Sequence, residues 1–139
     1  MGYFVALAAR GMGDFDLAQS ALRKSLALQP NHVDALALLG AIVSDRGDTT
    51  EAERLLRHAI ALDDKHFNSH HDLGRLLVRK HRYAEALPHL ERAATLNPRD
   101  PDVHYQLFFA LSRLKRKTDA DREFTTFQRL TEEKRPKSN

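Results

Sequence analysis

The sequence predicts an all-α protein, an α-solenoid of four helix–turn–helix hairpins, and three observations support this fold class. The 139-residue chain superposes on itself when it is shifted by 34 positions, with no insertion or deletion between copies. Apolar residues within each copy recur three or four positions apart, which places them on one helix face. The composition, with 42% hydrophobic and 29% charged residues, is typical of a helix-rich globular chain. A period of this length indicates stacked repeat units instead of one closed core.

Two positions of the 34-residue period hold the same residue in all four copies, and they show how the chain divides. Alanine recurs at Ala18, Ala52, Ala86 and Ala120, and leucine recurs at Leu28, Leu62, Leu96 and Leu130. The predicted repeats are 1–32, 33–66, 67–100 and 101–134, and a short polar tail follows at 135–139. No repeat is expected to be stable alone, because its apolar face is buried only against a neighbouring repeat.

The first two repeats each contain two predicted helices separated by a glycine-containing turn. In the second repeat, Leu36 and Leu39 recur at helical spacing before the turn at 46–48. Asp48 and Glu51 form a capping-box-like pair that opens the next helix. The four helices are predicted at 2–12, 15–28, 32–46 and 49–62.

The last two repeats follow the same pattern, with proline marking one helix start. Asp100 is a predicted N-cap, and Pro101 fits the first helical position, where an N–H has no intrahelical partner. Pro88 is expected about one turn into its helix, where the missing N–H costs little. The four helices are predicted at 66–80, 83–96, 101–115 and 118–134.

Composition and hydropathy exclude several classes of function. Because the chain has no cysteine, it cannot form a disulfide, a thiolate metal site or a cysteine nucleophile. The longest apolar stretch, at 35–43, is too short to span a bilayer. No basic region precedes the first apolar run, so the start does not resemble a signal peptide. No membrane partner is therefore expected, and the compartment stays open, with the cytoplasm as the default.

Small and large residues at fixed spacing within the period carry a resemblance to a known family. They are Leu39-Gly40 with Val43, Leu73-Gly74 with Leu77, Ala52 with Leu56, Ala86 with Leu90, and the closing Pro30 and Pro98. With a period of 34, this spacing resembles the tetratricopeptide repeat. The aromatic residue that the family places near the start of each unit is here Leu36, His70 and His104. The resemblance implies a right-handed solenoid whose first helices line a concave surface.

The resemblance further implies which residues face that surface and hold a partner. The candidate binding residues are Leu7, Leu38, Asp72, Arg75, Arg79, Tyr105, Phe109 and Arg113. Arginine and aromatic side chains are enriched in protein–protein hot spots, so a peptide with a carboxylate and an apolar anchor would suit this surface. The alternative is that Asp72, Arg75 and Arg79 only pair along one helix face.

These residues favour a non-catalytic scaffold that binds a protein or peptide partner in the concave groove. The alternative is a structural or oligomerisation segment of a larger protein with no ligand of its own. The acidic tail of heat-shock chaperones is not expected as the partner, because the family's clamp of basic and asparagine side chains for it is absent. The matching positions hold Tyr3, Leu7, Leu38, Asn68 and Asp72.

Metal binding, nucleic-acid binding and catalysis have weaker support. His66 and His70 are spaced to share one metal ion, but no set of carboxylates and histidines completes a site. Basic clusters at 75–82 and 113–117 would suit nucleic acid, yet cations near helix C-termini also complement the helix dipole. Because no catalytic motif is present, neither enzyme activity nor a cofactor is expected.

The fourth repeat replaces small residues with large aromatic ones. Phe108 stands where Gly40 and Gly74 stand, and Phe127 stands where the second repeat has Ala59. A further hairpin could not dock there in the same way without clashes. The apolar area that remains at this end is expected to support a weak homodimer.

Overall fold

The structure is a computed structural model that describes residues 2–136, and these residues form eight α-helices. The helices are α1 (Gly2–Gly11), α2 (Phe15–Leu28), α3 (Val33–Asp45), α4 (Thr49–Leu62), α5 (Phe67–Arg79), α6 (Tyr83–Leu96), α7 (Pro101–Arg113) and α8 (Lys117–Lys134). Each predicted helix is present, with both ends within two residues of the prediction. The predicted fold class is confirmed. Of the predicted polar tail, Arg135 and Pro136 follow α8, and 137–139 lie outside the described residues.

The chain divides into two compact units, Met1–Asp72 and Leu73–Asn139, with the boundary inside α5. In the first unit, α1 packs on α2, α2 on α3, and α3 on α4. In the second unit, α6 packs on α7, and α7 packs on α8. Fully buried leucines and one isoleucine fill the cores: Leu22, Leu39, Ile42 and Leu56 in the first unit, and Leu73, Leu76, Leu77, Leu90 and Leu130 in the second.

In the second and third repeats, a glycine of the first helix lies in close contact with a leucine of the second helix. A Cβ atom at Gly40 would lie 2.9 Å from Cγ of Leu56, and one at Gly74 would lie 2.6 Å from Cγ of Leu90. Both leucines are fully buried in a packed core, so they have little room to move away. Glycine at these two positions therefore sets the distance between the helices.

The turn inside each repeat has the same backbone geometry in all four copies. One residue of each turn has positive φ: Gly13, Gly47, His81 and Lys115. The next residue donates its N–H to a carbonyl five positions back, for example from Asp48 to Val43 at 2.9 Å and from Arg116 to Leu111 at 2.9 Å. This bond is the Schellman motif that ends a helix at a left-handed residue. The first unit uses glycine for this residue, whereas the second unit uses side chains that carry a steric cost there.

Replacing Lys115 with glycine is expected to raise the free energy of unfolding by about 1 kcal/mol. Lys115 is exposed and has φ 62°, and glycine adopts that conformation without the steric cost of a Cβ atom. Urea unfolding followed by circular dichroism measures the change. Gly47→Ala, at φ 98°, is the control and should lower the free energy of unfolding. A less stable Lys115→Gly variant would contradict this account of the turn.

Side chains cap the helices of the first unit more completely than those of the second. The Asp14 and Asp48 carboxylates each accept a backbone N–H at 3.1 Å, so the predicted capping role of Asp48 is confirmed. Arg82 and Arg116 stand at the same positions in the second unit and make no side-chain cap hydrogen bond. Asp100 caps α7 by accepting the Val103 N–H at 3.2 Å, as predicted.

Pro88 is the sixth residue of α6, beyond the first turn. The first four N–H groups of a helix have no intrahelical partner, but the N–H of a sixth residue does. The prediction that the missing N–H costs little at this position is therefore wrong. Pro88 removes one hydrogen bond from the interior of α6.

Candidate functional site

An open cavity of about 410 Å³ lies in the second unit, where α5, α7 and the turn after α5 meet. It is lined by Arg75, Val78 and Arg79 from α5, His81 from the turn, and Tyr105, Gln106 and Phe109 from α7. Within each helix the lining residues lie mainly three or four positions apart, so the helical period brings them to one face. We call this the arginine–aromatic cavity.

Aromatic rings support one side of the arginine–aromatic cavity. The Phe109 ring lies 6.1 Å from the Tyr83 ring, and the His81 ring stacks on Tyr83 at 5.8 Å, centroid to centroid. The Arg113 guanidinium carbon lies 5.0 Å from the Phe109 ring centroid, which is a cation–π contact. Arg113 therefore packs on a lining residue and adds a third guanidinium beside the cavity.

Two guanidinium groups, those of Arg75 and Arg79, line this cavity. Nε of Arg75 lies 3.5 Å from the Asp102 carboxylate, and both side chains are partly exposed. Such an exposed pair contributes little to stability, and water or a second carboxylate can still reach the guanidinium. Arginine presents several N–H donors in a fork that matches a carboxylate. Together with the adjoining rings, the cavity suits an acidic group next to an apolar side chain.

The eight predicted binding residues are divided between the two units of the chain. Arg75, Arg79, Tyr105 and Phe109 line the arginine–aromatic cavity, Arg113 packs on Phe109, and Leu7, Leu38 and Asp72 line a cavity of the first unit. Helical register thus placed seven of the eight residues at a cavity and Arg113 beside one. The role of these residues in binding stays a prediction.

The cavity of the first unit has a volume of about 240 Å³ and contains a histidine–carboxylate pair. Nε2 of His66 donates to the Asp34 carboxylate at 2.7 Å, because Nδ1 of His66 accepts the Ser69 N–H at 3.3 Å. Tyr3 also lines this cavity. Burial, with a smaller effect of the Asp34 carboxylate, raises the pKa of Tyr3 above its usual value of 10.0. We call this the N-terminal cavity.

Sequence reasoning missed His81 and Val78 as lining residues. His81 faces the cavity from a backbone with φ 61°, a conformation that is uncommon for a residue other than glycine. The 34-residue register was the available signal, because His81 stands where the first two repeats have Gly13 and Gly47. Non-glycine residues held at positive φ cluster at functional sites, which draws attention to His81.

The histidines that suggested a metal site have other partners. Nδ1 of His66 faces Ser69 and its Nε2 faces Asp34, while Nε2 of His70 lies 2.8 Å from the Asp64 carbonyl oxygen. His70 is 3% exposed. Over residues 2–136, no group of three or more histidine, aspartate or glutamate side chains is arranged to hold a metal ion.

The predicted basic clusters contain arginines that pair with nearby carboxylates. Nη2 of Arg82 lies 2.6 Å from Glu85, and Nη2 of Arg116 lies 2.9 Å from Asp119. These two pairs stand 34 positions apart and join the start of a helix to its first turn. Part of the basic charge is thus balanced within the helices. Within the described part of the chain, no helix is long and apolar enough to cross a membrane.

The hairpins and their cavities define a helical-repeat protein of the tetratricopeptide-like class. The crystal structure of MamA is 26% identical, with a TM-score of 0.81 over 91% of this chain and 74% of that one. MamA from Desulfovibrio magneticus RS-1 is 22% identical, with a TM-score of 0.82 over 97% of this chain and 76% of that one. The family model for the bacterial transcriptional activator domain matches residues 6–134, and the chain therefore belongs to that family.

A third solved structure shares the fold over a part of its length. A mutant O-GlcNAc transferase of Thermobaculum terrenum is 31% identical, with a TM-score of 0.75 over 79% of this chain. The matched part is 21% of the transferase chain. No curated protein matches the chain. The helical-repeat part of the predicted resemblance is thus confirmed, and the family is that of the bacterial transcriptional activator domain.

Proposed function

We propose that this chain is a non-catalytic protein-interaction module, built from tetratricopeptide repeats, that captures an acidic and apolar peptide segment of a partner. The observation that carries the proposal is the arginine–aromatic cavity, where Arg75 and Arg79 lie beside Tyr105 and Phe109. Arginine and tyrosine are enriched in interface hot spots.

The family supports a role for this binding in transcription. The description of the matching family names a transcriptional activator domain of bacteria. Helical-repeat proteins commonly present extended surfaces to partners, which agrees with a module that recruits another protein. We therefore propose that the captured segment belongs to a protein of the transcription apparatus or its regulators.

A homodimer through the fourth repeat is the second candidate, and one cluster of rings favours it. Phe108 and Phe124 lie 4.7 Å apart, Tyr105 and Phe127 lie 5.3 Å apart, and each of these four rings is at least partly exposed. Partly exposed apolar clusters at a repeat end are suited to self-association. Light scattering at rising protein concentration tests this candidate, and a strict monomer throughout would contradict it.

An array of acidic peptides tests the proposed binding function. Short acetylated peptides combine glutamate or aspartate with leucine or phenylalanine in permuted order, and a matched array replaces each acid with lysine. The wild-type chain is expected to bind members of the acidic array, because the guanidinium groups of Arg75 and Arg79 attract carboxylates. Equal binding to the two arrays, or binding to neither, would contradict the proposal.

A further inference from the structure

A groove of about 370 Å³ lies on the first unit, on the side of α3 away from the N-terminal cavity. Leu36 and Leu39 of α3 line this groove, whereas Ala37 and Leu38 line the N-terminal cavity. With 3.6 residues per turn, these two pairs lie on different faces of the helix. Leu55 of α4 completes an apolar floor that is almost fully buried, since Leu36 and Leu55 are 3% exposed and Leu39 is 1% exposed. We call this the leucine groove.

At the equivalent positions of the fourth repeat, a histidine and a glutamate replace two of the leucines. His104 stands 68 positions after Leu36, and Glu123 stands 68 positions after Leu55. Nδ1 of His104 lies 2.6 Å from the Glu123 carboxylate, and its Nε2 donates to the Pro98 carbonyl oxygen at 2.7 Å. The second repeat thus has two leucines where the fourth has a hydrogen-bonded pair of side chains.

The replacement of histidine by leucine changes which groups of the groove can hydrogen-bond to a ligand. Pro30 lines the leucine groove and corresponds to Pro98 in the repeat register. Because a leucine side chain has no N–H, Leu36 cannot donate to the Pro30 carbonyl as His104 donates to Pro98. His70 makes the equivalent bond to the Asp64 carbonyl at 2.8 Å in the third repeat. If the repeat register holds here too, the Pro30 carbonyl lies beside Leu36 as an acceptor that a ligand N–H can satisfy.

Two arginines and a histidine surround the floor of the leucine groove. Arg23, Arg54 and His58 line it, and Nη1 of Arg23 lies 2.8 Å from the Glu51 carboxylate. Arg54 is exposed, and no ion pair joins it to another described residue of 2–136. A carboxylate on a ligand would reach Arg54 without displacing a protein partner. The charge around the groove thus favours an acidic ligand.

We propose that the leucine groove binds a tryptophan side chain of an acidic peptide. The indole ring packs against Leu26, Ala27 and Pro30, the more exposed apolar side chains of the groove, and the indole N–H donates to the Pro30 carbonyl. Carboxylates flanking the tryptophan pair with Arg54. The volume of about 370 Å³ lies within the range of ligand pockets, roughly 300–1,000 Å³. This site is on the first unit and does not depend on the arginine–aromatic cavity of the second.

The peptide acetyl-Glu-Trp-Glu-amide is the probe. Because the chain has no tryptophan, indole fluorescence reports the peptide alone. Wild-type protein is expected to give a saturable blue shift of the emission as the indole leaves water. Arg54→Glu is expected to weaken binding by about tenfold or more, because it reverses a charge at an exposed position. Arg122→Glu is the control and should bind as the wild type does, because this side chain is 72% exposed and lines neither the leucine groove nor the arginine–aromatic cavity.

A second variant converts the leucine groove to the polar form of the fourth repeat. Leu36→His with Leu55→Glu places a histidine and a carboxylate on the floor, and binding should be lost while circular dichroism stays helical. If this variant does not fold, the affinity of Arg54→Glu alone tests whether the leucine groove binds the peptide. The proposal is overturned if the wild type gives no saturable shift, if Arg54→Glu binds as tightly as the wild type, or if acetyl-Lys-Trp-Lys-amide binds equally well. The titrations are repeated in a variant that combines Arg75→Glu with Phe109→Ala and so alters the arginine–aromatic cavity. Loss of the blue shift on adding Arg54→Glu to that variant does not depend on the proposed function.

Discussion

Arg75→Glu combined with Phe109→Ala is expected to lower the affinity for an acidic array peptide by about 100-fold or more. The first change replaces a guanidinium that faces the peptide carboxylate with a like charge. The second removes the ring that gives the arginine–aromatic cavity its apolar surface and that Arg113 packs against. Both side chains are at least partly exposed, so the helices should keep their stability. Fluorescence anisotropy of the labelled peptide measures the affinity.

A matched pair of changes outside the cavity is the control for this result. Arg122→Glu with Phe4→Ala makes the same chemical changes at exposed positions, since the Arg122 side chain is 72% exposed and Phe4 is 73% exposed. Neither residue lines the arginine–aromatic cavity. This control should bind like the wild type. Retained binding by the cavity variant, with the control also unchanged, would contradict the assignment of the site.

His104→Ala is expected to lower the free energy of unfolding by about 3 kcal/mol. His104 is 8% exposed, and its two ring nitrogens face the Glu123 carboxylate and the Pro98 carbonyl. Truncation opens a cavity, removes both hydrogen bonds and leaves Glu123 without this partner. Urea unfolding followed by circular dichroism measures the loss.

Two other variants separate the contributions of packing and hydrogen bonding at His104. His104→Leu restores volume without polar contacts and should fall between the wild type and His104→Ala, since leucine occupies the same register position at Leu36. Glu123→Gln keeps a side chain that can hydrogen-bond to the imidazole and should cost less than His104→Ala. An unchanged stability of His104→Ala would show that this pair does not hold α7 and α8 together.

The sequence predicted the helices well because the chain is a repeat. The first and the second helix of the repeat each occur in four copies. A weak signal for a helix end in one copy could therefore be checked against a stronger signal in another copy. The boundaries of α6 are predicted correctly despite Pro88, because its register matches that of α2 and α4. The energetic consequence of Pro88 was misjudged, since it depends on a hydrogen bond that only the exact helix start defines.

The candidate site was predicted less completely, because register identifies a helix face and does not say what each side chain contacts. Arg75, Arg79, Tyr105 and Phe109 were found from their position in the period. His81 was missed because its direction depends on a positive φ in the turn. The capping of α3 by Nδ1 of His32, at 3.1 Å from the Ala35 nitrogen, was missed because imidazole is not among the usual capping groups. Such features depend on local geometry that hydrophobic periodicity does not encode.

Chemical-shift mapping tests the central claim, capture of an acidic and apolar peptide by the arginine–aromatic cavity, most directly. The isotopically labelled chain is titrated with the acidic array peptide that binds most tightly, and backbone amide shifts are recorded at each step. The largest shifts are expected at the cavity residues of α5 and α7, among them Arg79 and Phe109, and at His81 in the turn between α5 and α6. Saturable shifts confined to other residues, with these positions unmoved, would contradict the claim.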